Sequence, residues 1–349
     1  MTGHAAIDAA LSAIEPGQKI RFLVYRNGRH FMALPVRRHA ALLTLRLYQP
    51  QRSKAIFAAF GLRGLAATGL HRVFLPKLRG SVRQVELTPE FPQCVHGTAG
   101  IMLGSPEHPV PRAILSYQTE NGWEVAKLSF GEPGRKVIEG EFSALASLPT
   151  GTPGVPLTLG VHHGLDFSLL RMPYFRGTPL CQQKMMRALD LLESWVGSQP
   201  SQPAAEFPEW PAIHEALVTS DAGRRALERL AAIRLRPVIR HGDFARWNLL
   251  ELRDGSCMAI DWEWAHRAGM PGIDVVHLFA QDARLVHQLP PAAIVRVVER
   301  ALSGPRCRGY LESCGWGANP RDVLLASIAF TVGTKQQSNE EVLAAALQQ

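Results

Sequence analysis

The spacing of apolar and polar positions changes character twice along this chain. Residues 20–36, IRFLVYRNGRHFMALPV, read as two short strands around Arg-Asn-Gly-Arg. Asn27-Gly28 is a strong hairpin signal, because both turn positions require φ > 0. Two segments with helical spacing follow, RRHAALLTLRLY and SKAIFAAFGLRGLAATGL, ending near Pro76. From about residue 95 the period shortens to two. GIMLG, RAILSYQ and WEVAKLSF, with a Glu-Asn-Gly turn between the last two, predict an antiparallel meander. The helix RKVIEGEFSALASL is closed by Pro149. A Pro/Gly/Thr-rich connector (149–156) then leads to SLLRMPYFRG, an apolar strand that breaks up at Pro173 and Gly177. Beyond Leu180 helical periods dominate: QQKMMRALDLLESWVG, PAIHEALV, DAGRRALERLAAI, PPAAIVRVVERAL and RDVLLASIAFTVG, with a Ser/Pro/Gln-rich loop at 198–210. The expected organisation is an accessory unit over 1–90, a strand-rich region over 91–178 and a helical region over 179–349.

Composition narrows the class. A chain of 349 residues with 46% hydrophobic and 19% charged residues is an ordinary globular protein, long enough for two or three packed units. Its five cysteines form no CxxC pair, which argues against a zinc site or a disulfide framework and fits a reducing cytoplasm. The first residues lack a basic region followed by an apolar core, so no signal peptide is expected. The most apolar run, residues 55–70, is broken by Arg63 and three glycines and is too short to cross a bilayer. A soluble, cytoplasmic protein is the expectation.

Charge is uneven. Residues 1–90 hold 14 Lys and Arg against 4 Asp and Glu, a net of +10, whereas the remainder holds 24 against 26, a net of −2. Basic residues interleaved with exposed aromatics, as nucleic-acid binding requires, are not found, so no nucleic-acid partner is expected. The expectation is a solvated basic face packed on the rest of the protein, the alternative being contact with an anionic surface such as a membrane leaflet. Phe57 and Phe60 are expected to pack within the accessory unit.

The chemistry concentrates in HGDFARWN, His241–Asn248, and in LLELRDGSCMAIDWEWA after it. Phosphoryl transfer needs a carboxylate at the attacking hydroxyl, oxygen ligands for Mg²⁺ and a cation on the nucleotide phosphates. Asp243 follows a short apolar strand, PVIR, in a tight His-Gly-Asp turn and suits the first role. Leu249–Leu252 and Ser256–Ile260 predict a hairpin around Arg253-Asp254-Gly255, which returns the chain to its start and places Asp261 beside Asn248. One amide and one carboxylate oxygen are ligands that Mg²⁺ accepts alongside phosphate oxygens.

These segments resemble the aminoglycoside phosphotransferase and choline kinase family of protein-kinase-like enzymes. HGDFARWN matches the pattern H-G-D-x-x-x-x-N, and IDWE matches I-D-[FW]-[EDG]. The resemblance implies an α+β, bilobal protein-kinase-like fold: a small antiparallel-sheet N-lobe, a mostly helical C-lobe and, here, an additional N-terminal α/β unit. It implies Asp243 as catalytic base, Asn248 and Asp261 as metal ligands, and His241 as support for the loop. GMPGIDVVHL is similar to the family's G-x-P-x-x-D-L segment, which gives Asp274 a loop-bracing role. VAKLSF and GEFSALASL resemble the segments whose lysine and glutamate pair over the phosphates, implying Lys127 and Glu141. LLRMPYFRGTPL sits at the hinge position, implying adenine contacts from backbone groups of roughly Arg171 to Tyr174, Met172 and Tyr174 among them. Gly104 and Ser105 stand where the family has its phosphate turn, but GSPEHPVPR carries three prolines and so lacks three N–H donors. The resemblance covers residues 95–280 and none of the first 90.

The implied function is an ATP- and Mg²⁺-dependent kinase acting on a hydroxyl of a small molecule. Residues 281–349 mix both signs without an acidic cluster, which favours a sugar-like or polyol acceptor over a polycation. The alternative is a pseudokinase-type nucleotide-binding or scaffolding protein without turnover. Glu263 is either a metal-assisting or a structural carboxylate. His162-His163 is expected as a loop pair rather than a metal site.

Overall fold

The structure, a computed structural model, describes residues 20–24, 31–48, 50, 53–75, 99–104, 110, 112–164, 167–317, 319–334 and 339–348. The chain divides into two compact units. One comprises residues up to Ala146 with Pro156–Arg176, the other Ser147–Val155 with Gly177 onward.

The first unit is built on a seven-stranded antiparallel sheet. Its elements are β1 (Ile20–Val24), β2 (Phe31–Pro35), α1 (Arg38–Leu47), α2 (Ser53–Thr68), α3 (His71–Phe74), β3 (Ala99–Leu103), β4 (Arg112–Thr119), β5 (Gly122–Phe130), α4 (Gly131–Ser147), β6 (Gly160–His163) and β7 (Phe167–Pro173). The strand order is β1-β2-β3-β4-β5-β7-β6. The first two strands pair in the register that an Asn-Gly turn would close, Ile20 opposite Pro35 and Val24 opposite Phe31, although the turn itself lies outside the described residues. His162 and His163 lie on β6, opposite Leu169 and Ser168, and not in a loop.

The expected boundary near residue 90 does not separate two bodies. Strand β2 pairs with β3 (Met32 opposite Met102), so the described part of the first 90 residues extends the same sheet. Helix α1 packs down on it. Thr44 Oγ1 lies 2.9 Å from Ser116 Oγ on β4, and a Cβ at Gly100 on β3 would stand 1.9 Å from Thr44 Oγ1. Only glycine admits the helix at that distance. Met32, Leu34, Ala41, Leu45, Ala66 and Leu75 form one apolar cluster that joins β2 to α1, α2 and the residue following α3. Across the sheet, Arg171 on β7 bonds the buried Glu124 on β5, Nη2 lying 2.8 Å from Oε2.

The second unit is mostly helical. In order it contains β8 (Gly177–Pro179), α5 (Ala188–Ser194), β9 (Gln202–Pro203), α6 (Trp210–Leu217), α7 (Asp221–Ala231), β10 (Arg234–Leu235), β11 (Val238–Arg240), β12 (Leu249–Leu252), β13 (Cys257–Ala259), β14 (His266–Gly269), α8 (Ile273–Gln281), α9 (Pro291–Leu302), α10 (Pro305–Ser313), α11 (Pro320–Gly333) and α12 (Glu340–Gln348). Helix α8 was not apparent in the sequence as a helix, because its apolar run IDVVHLFA is nearly continuous and carries no clean period. Its burial explains the run: Val275, Val276 and Leu278 are all enclosed. The predicted hairpin is present, with Leu249 opposite Ala259 and Glu251 opposite Cys257, and β8 adds a third strand to it. Together, the antiparallel-sheet unit and the helical unit realise the α+β class expected.

Candidate active site

Two polar assemblies answer to the predicted site residues, one in each unit. In the first unit Lys127 on β5 and Glu141 on α4 form an ion pair of 2.5 Å, with the glutamate 2% exposed. Burial of that carboxylate beside a lysine costs least when the two are paired, which fixes the ammonium group in one place.

The rest of the expected nucleotide set is less favourable. The Gly104 N–H donates to Arg112 O at 2.9 Å, so it is not a free phosphate donor. Ser105, with residues 106–109 and 111, lies outside the described residues. The Tyr174 N–H donates to Trp123 O at 2.9 Å, and its hydroxyl donates to Leu43 O at 2.8 Å. Burial pushes that phenol up to about 12. Because antiparallel pairs alternate, Met172, two residues earlier and opposite Val125, also turns its backbone groups towards β5. The outward position between them is Pro173, which has a carbonyl and no N–H. Of Met172, Pro173 and Tyr174, it is therefore the Pro173 carbonyl that turns away from β5.

The second assembly surrounds Asp243. Strand β11 ends at Arg240, whose buried guanidinium pairs with Glu209 at 2.7 Å. The chain then turns at Gly242 (φ 87), where a Cβ would meet Trp264 O at 2.5 Å. Asp274, buried on α8, holds this turn: Oδ2 accepts from the His241 N–H at 2.7 Å and Oδ1 from the Gly242 N–H at 2.9 Å. His241 is fully buried, and burial lowers its pKa despite nearby carboxylates, so the ring is neutral at physiological pH. Nδ1 accepts from the Asp243 N–H at 3.2 Å, which leaves Nε2 to donate to Ile260 O at 3.0 Å. The ring stacks edge-wise on Trp262, their centroids 4.7 Å apart, within a buried aromatic group that includes Phe244 and Trp195.

Asp243 is held on both oxygens. Oδ1 lies 2.8 Å from His277 Nε2, and Oδ2 accepts from Asn248 Nδ2 at 2.9 Å. Burial raises its pKa, but the His277 hydrogen bond and charge, with help from His241 and Asn248, outweigh it and hold the carboxyl below its ordinary value. Asp243 is thus ionised at neutral pH, and His277 is the donor. Sequence reasoning missed His277. Its only signal is the three-residue spacing from Asp274, which places both on one face of α8.

Asn248 Nδ2 also donates to Asp243 O at 2.9 Å. With the amide nitrogen committed, its Oδ1 is the atom left for a cation. The Ile260 N–H donates to Asn248 O at 2.9 Å, so the hairpin brings the next residue, Asp261, to Asn248. Asp261 has φ 72, a left-handed conformation that costs a non-glycine residue energy and recurs where a side chain must be aimed. Among the described residues no group of three or more His, Cys, Asp or Glu could hold a metal ion alone. An amide oxygen plus one carboxylate is a hard, incomplete donor set; it suits Mg²⁺ completed by phosphate oxygens and water. Glu263 accepts from Trp264 Nε1 at 3.0 Å, a bond within the exposed segment. Arg246, in the loop, pairs with Asp282 at 3.0 Å, where α8 passes into a π-helical turn.

No family model matches the chain, and no curated protein matches it. Similar solved structures include a thermostable mutant of the aminoglycoside phosphotransferase APH(4)-Ia in ternary complex with ADP and hygromycin B, at 14% identity, 71% of this chain, 90% of that one and TM-score 0.45. Choline kinase LicA from Streptococcus pneumoniae is similar at 16% identity, 67% and 88% coverage and TM-score 0.42. Aminoglycoside phosphotransferase APH(3'')-Id from Streptomyces rimosus is similar at 17% identity, 62% and 89% coverage and TM-score 0.40. Likeness at this level carries no argument about reaction or substrate, and the chemistry rests on this chain's own residues.

Proposed function

We infer that the protein is an ATP- and Mg²⁺-dependent kinase that transfers the γ-phosphoryl group to a hydroxyl of a small sugar-like or polyol molecule. The observation that carries this reading is the Asp243 carboxylate, kept ionised and fixed on both oxygens by His277 and Asn248. Each oxygen retains a lone pair for an incoming hydroxyl. Asp243 would accept a hydrogen bond from that hydroxyl, orient it, and take its proton as the new O–P bond forms and the bond to the leaving diphosphate breaks. A carboxylate with a lowered pKa is a weak base, which suits a loose transition state in which proton transfer comes late.

Asn248 Oδ1 and the Asp261 carboxylate would hold the protein side of the Mg²⁺ site. MgATP, when bound, supplies the phosphoryl group and neutralises charge on the non-bridging oxygens. Lys127, oriented by Glu141, is the cation for the remaining phosphates, and the Pro173 carbonyl is the outward backbone group at the hinge. Residues 281–349 offer no cluster of acidic side chains for a polycation, which supports a neutral or anionic acceptor.

The test is nucleotide affinity with and without Mg²⁺, followed by ATP hydrolysis and transfer to a panel of sugars and polyols. Mg²⁺-dependent affinity should be lost in Asp261→Asn. Asp243→Asn should lower turnover by roughly 10²–10⁴-fold while the protein stays folded, with a lower Tm because the stabilising charge beside His277 is lost. A well-folded protein that binds no nucleotide, or an Asp243→Asn variant that turns over normally, would overturn the reading. Affinity without turnover on any acceptor would replace it with a nucleotide-binding scaffold, and preferred transfer to an aminoglycoside would overturn the acceptor class.

A further inference from the structure

Helix α2 departs from the ordinary surface helix. Its inner face, Ala59, Leu62, Arg63 and Ala66, packs on the first unit's apolar cluster, where Ala59 and Ala66 are buried. Arg63 lies between those residues and spends its guanidinium on Leu45 O and Tyr48 O. At 100° per residue, the opposite face carries Phe57, Phe60, Gly61, Gly64 and Thr68. None of these five is charged; Lys54, in the first turn of the helix, falls on the same face. Phe57 is 78% and Phe60 72% exposed, so the expectation that they pack inside the unit is corrected. Ile56 beside them is exposed as well. The short helix α3 repeats the arrangement, with His71 fully buried and Val73 and Phe74 on the surface at 73% and 67% exposure.

Two exposed phenylalanines on one helical face are costly in water and mark a surface with a partner. The charge of the segment that carries them says which kind. Residues 16–85 contain no Asp or Glu, and all 14 Lys and Arg of the first 90 residues lie among them. Arg37, Arg38, Arg46 and Arg72 are exposed in the described part. A protein surface that meets its partner through apolar contact normally needs both signs at the rim, whereas a purely cationic rim complements a surface of one sign. An apolar helical face within a wholly cationic segment is the pattern of a helix lying in the interface of an anionic bilayer. No helix among the described residues is long and apolar enough to cross a membrane, which agrees with a helix that lies on one.

We propose that the outer face of α2, with α3, docks the protein on the surface of anionic lipid membranes. Phe57 and Phe60 enter the headgroup and acyl boundary, and basic residues of the same cationic segment meet lipid phosphate. This attachment is independent of the reaction proposed above.

The experiment is co-sedimentation of the full-length protein with vesicles of phosphatidylcholine, with and without phosphatidylglycerol. It is run for wild type and for the Phe57→Ser/Phe60→Ser double variant, alongside Tm and light scattering without lipid. Wild type should partition onto the phosphatidylglycerol vesicles, weaken as salt rises, and ignore pure phosphatidylcholine. The double variant should lose binding by at least about tenfold while keeping its Tm and its mass in solution. Equal binding by the double variant, or none to anionic vesicles, would overturn the proposal. So would a wild-type oligomer that the double variant dissociates, which would make a second copy the occupant. A Tm several degrees lower in the double variant would mean that the chain itself covers the face, with the same consequence.

Discussion

Helices α2 and α8 are both rich in apolar residues, and each places part of its sequence on the side where such residues are normally absent. Helix α8 turns Asp274, His277 and Gln281 inward, all nearly inaccessible to water. Helix α2 turns Phe57 and Phe60 outward. The buried polar residues of α8 make sense through their partners: Asp274 takes the backbone N–H groups of His241 and Gly242, and His277 holds Asp243. Polar groups tolerate burial only when they are satisfied, and these are. The apolar surface of α2 has no such account within the described part of the first unit. Hydropathy alone therefore separates neither helix from an ordinary core element; the informative quantity is which side each exceptional residue faces and what it meets there.

Substitutions can break or sharpen this contrast. The largest effect is expected for Asp274→Ala, which leaves two buried N–H groups unpaired at a cost of roughly 2–6 kcal/mol. A urea melt reads it directly, and a loss under 1 kcal/mol (about one ordinary hydrogen bond) would mean the loop does not depend on α8. Leu278→Ala, fully buried on the same helix, should cost roughly 2–5 kcal/mol by cavity formation. His277→Ala removes a donor from a carboxylate, worth roughly 1.5–3 kcal/mol, so the Asp243 pKa rises. The acid limb of nucleotide-dependent turnover should then move to higher pH by roughly one to two units. An unmoved limb would release Asp243 from His277. The sign for stability is the same: folding depresses the Asp243 pKa, so its contribution is present above the ordinary carboxylate range and is lost as pH falls through the folded value. The smallest effect belongs to Phe60→Ser, within about 0.5 kcal/mol despite the loss of an entire ring. A cost near that of Leu278→Ala would abolish the contrast between the helices.

The loop over 241–248 and the hairpin after it were legible in the sequence because everything that shapes them is local. The His-Gly-Asp turn, the five residues to Asn248 and the Arg-Asp-Gly turn that returns Asp261 all act within about twenty positions. His277 was not legible, since its partner Asp243 is far away in sequence and it sits in an apolar run that reads as core. The integration of the N-terminal residues was hidden for a similar reason. Strand β2 finds β3 across more than sixty residues, a pairing no periodicity announces. The end of β7 was legible as a segment but not in its register. Which backbone groups face outward depends on the hydrogen-bond alternation with β5, and one residue of offset exchanges Tyr174 for Pro173.

The left-handed backbone at Asp261 bears on how such a chain can drift. Asparagine and glycine tolerate that conformation, and each is one base change away from aspartate. Alanine and most other residues would add backbone strain to the loss of charge. The substitutions best tolerated at this position are therefore those that discard the carboxylate while sparing the fold. Aspartate occupies the position here, and the Ile260 N–H beside it donates to Asn248 O.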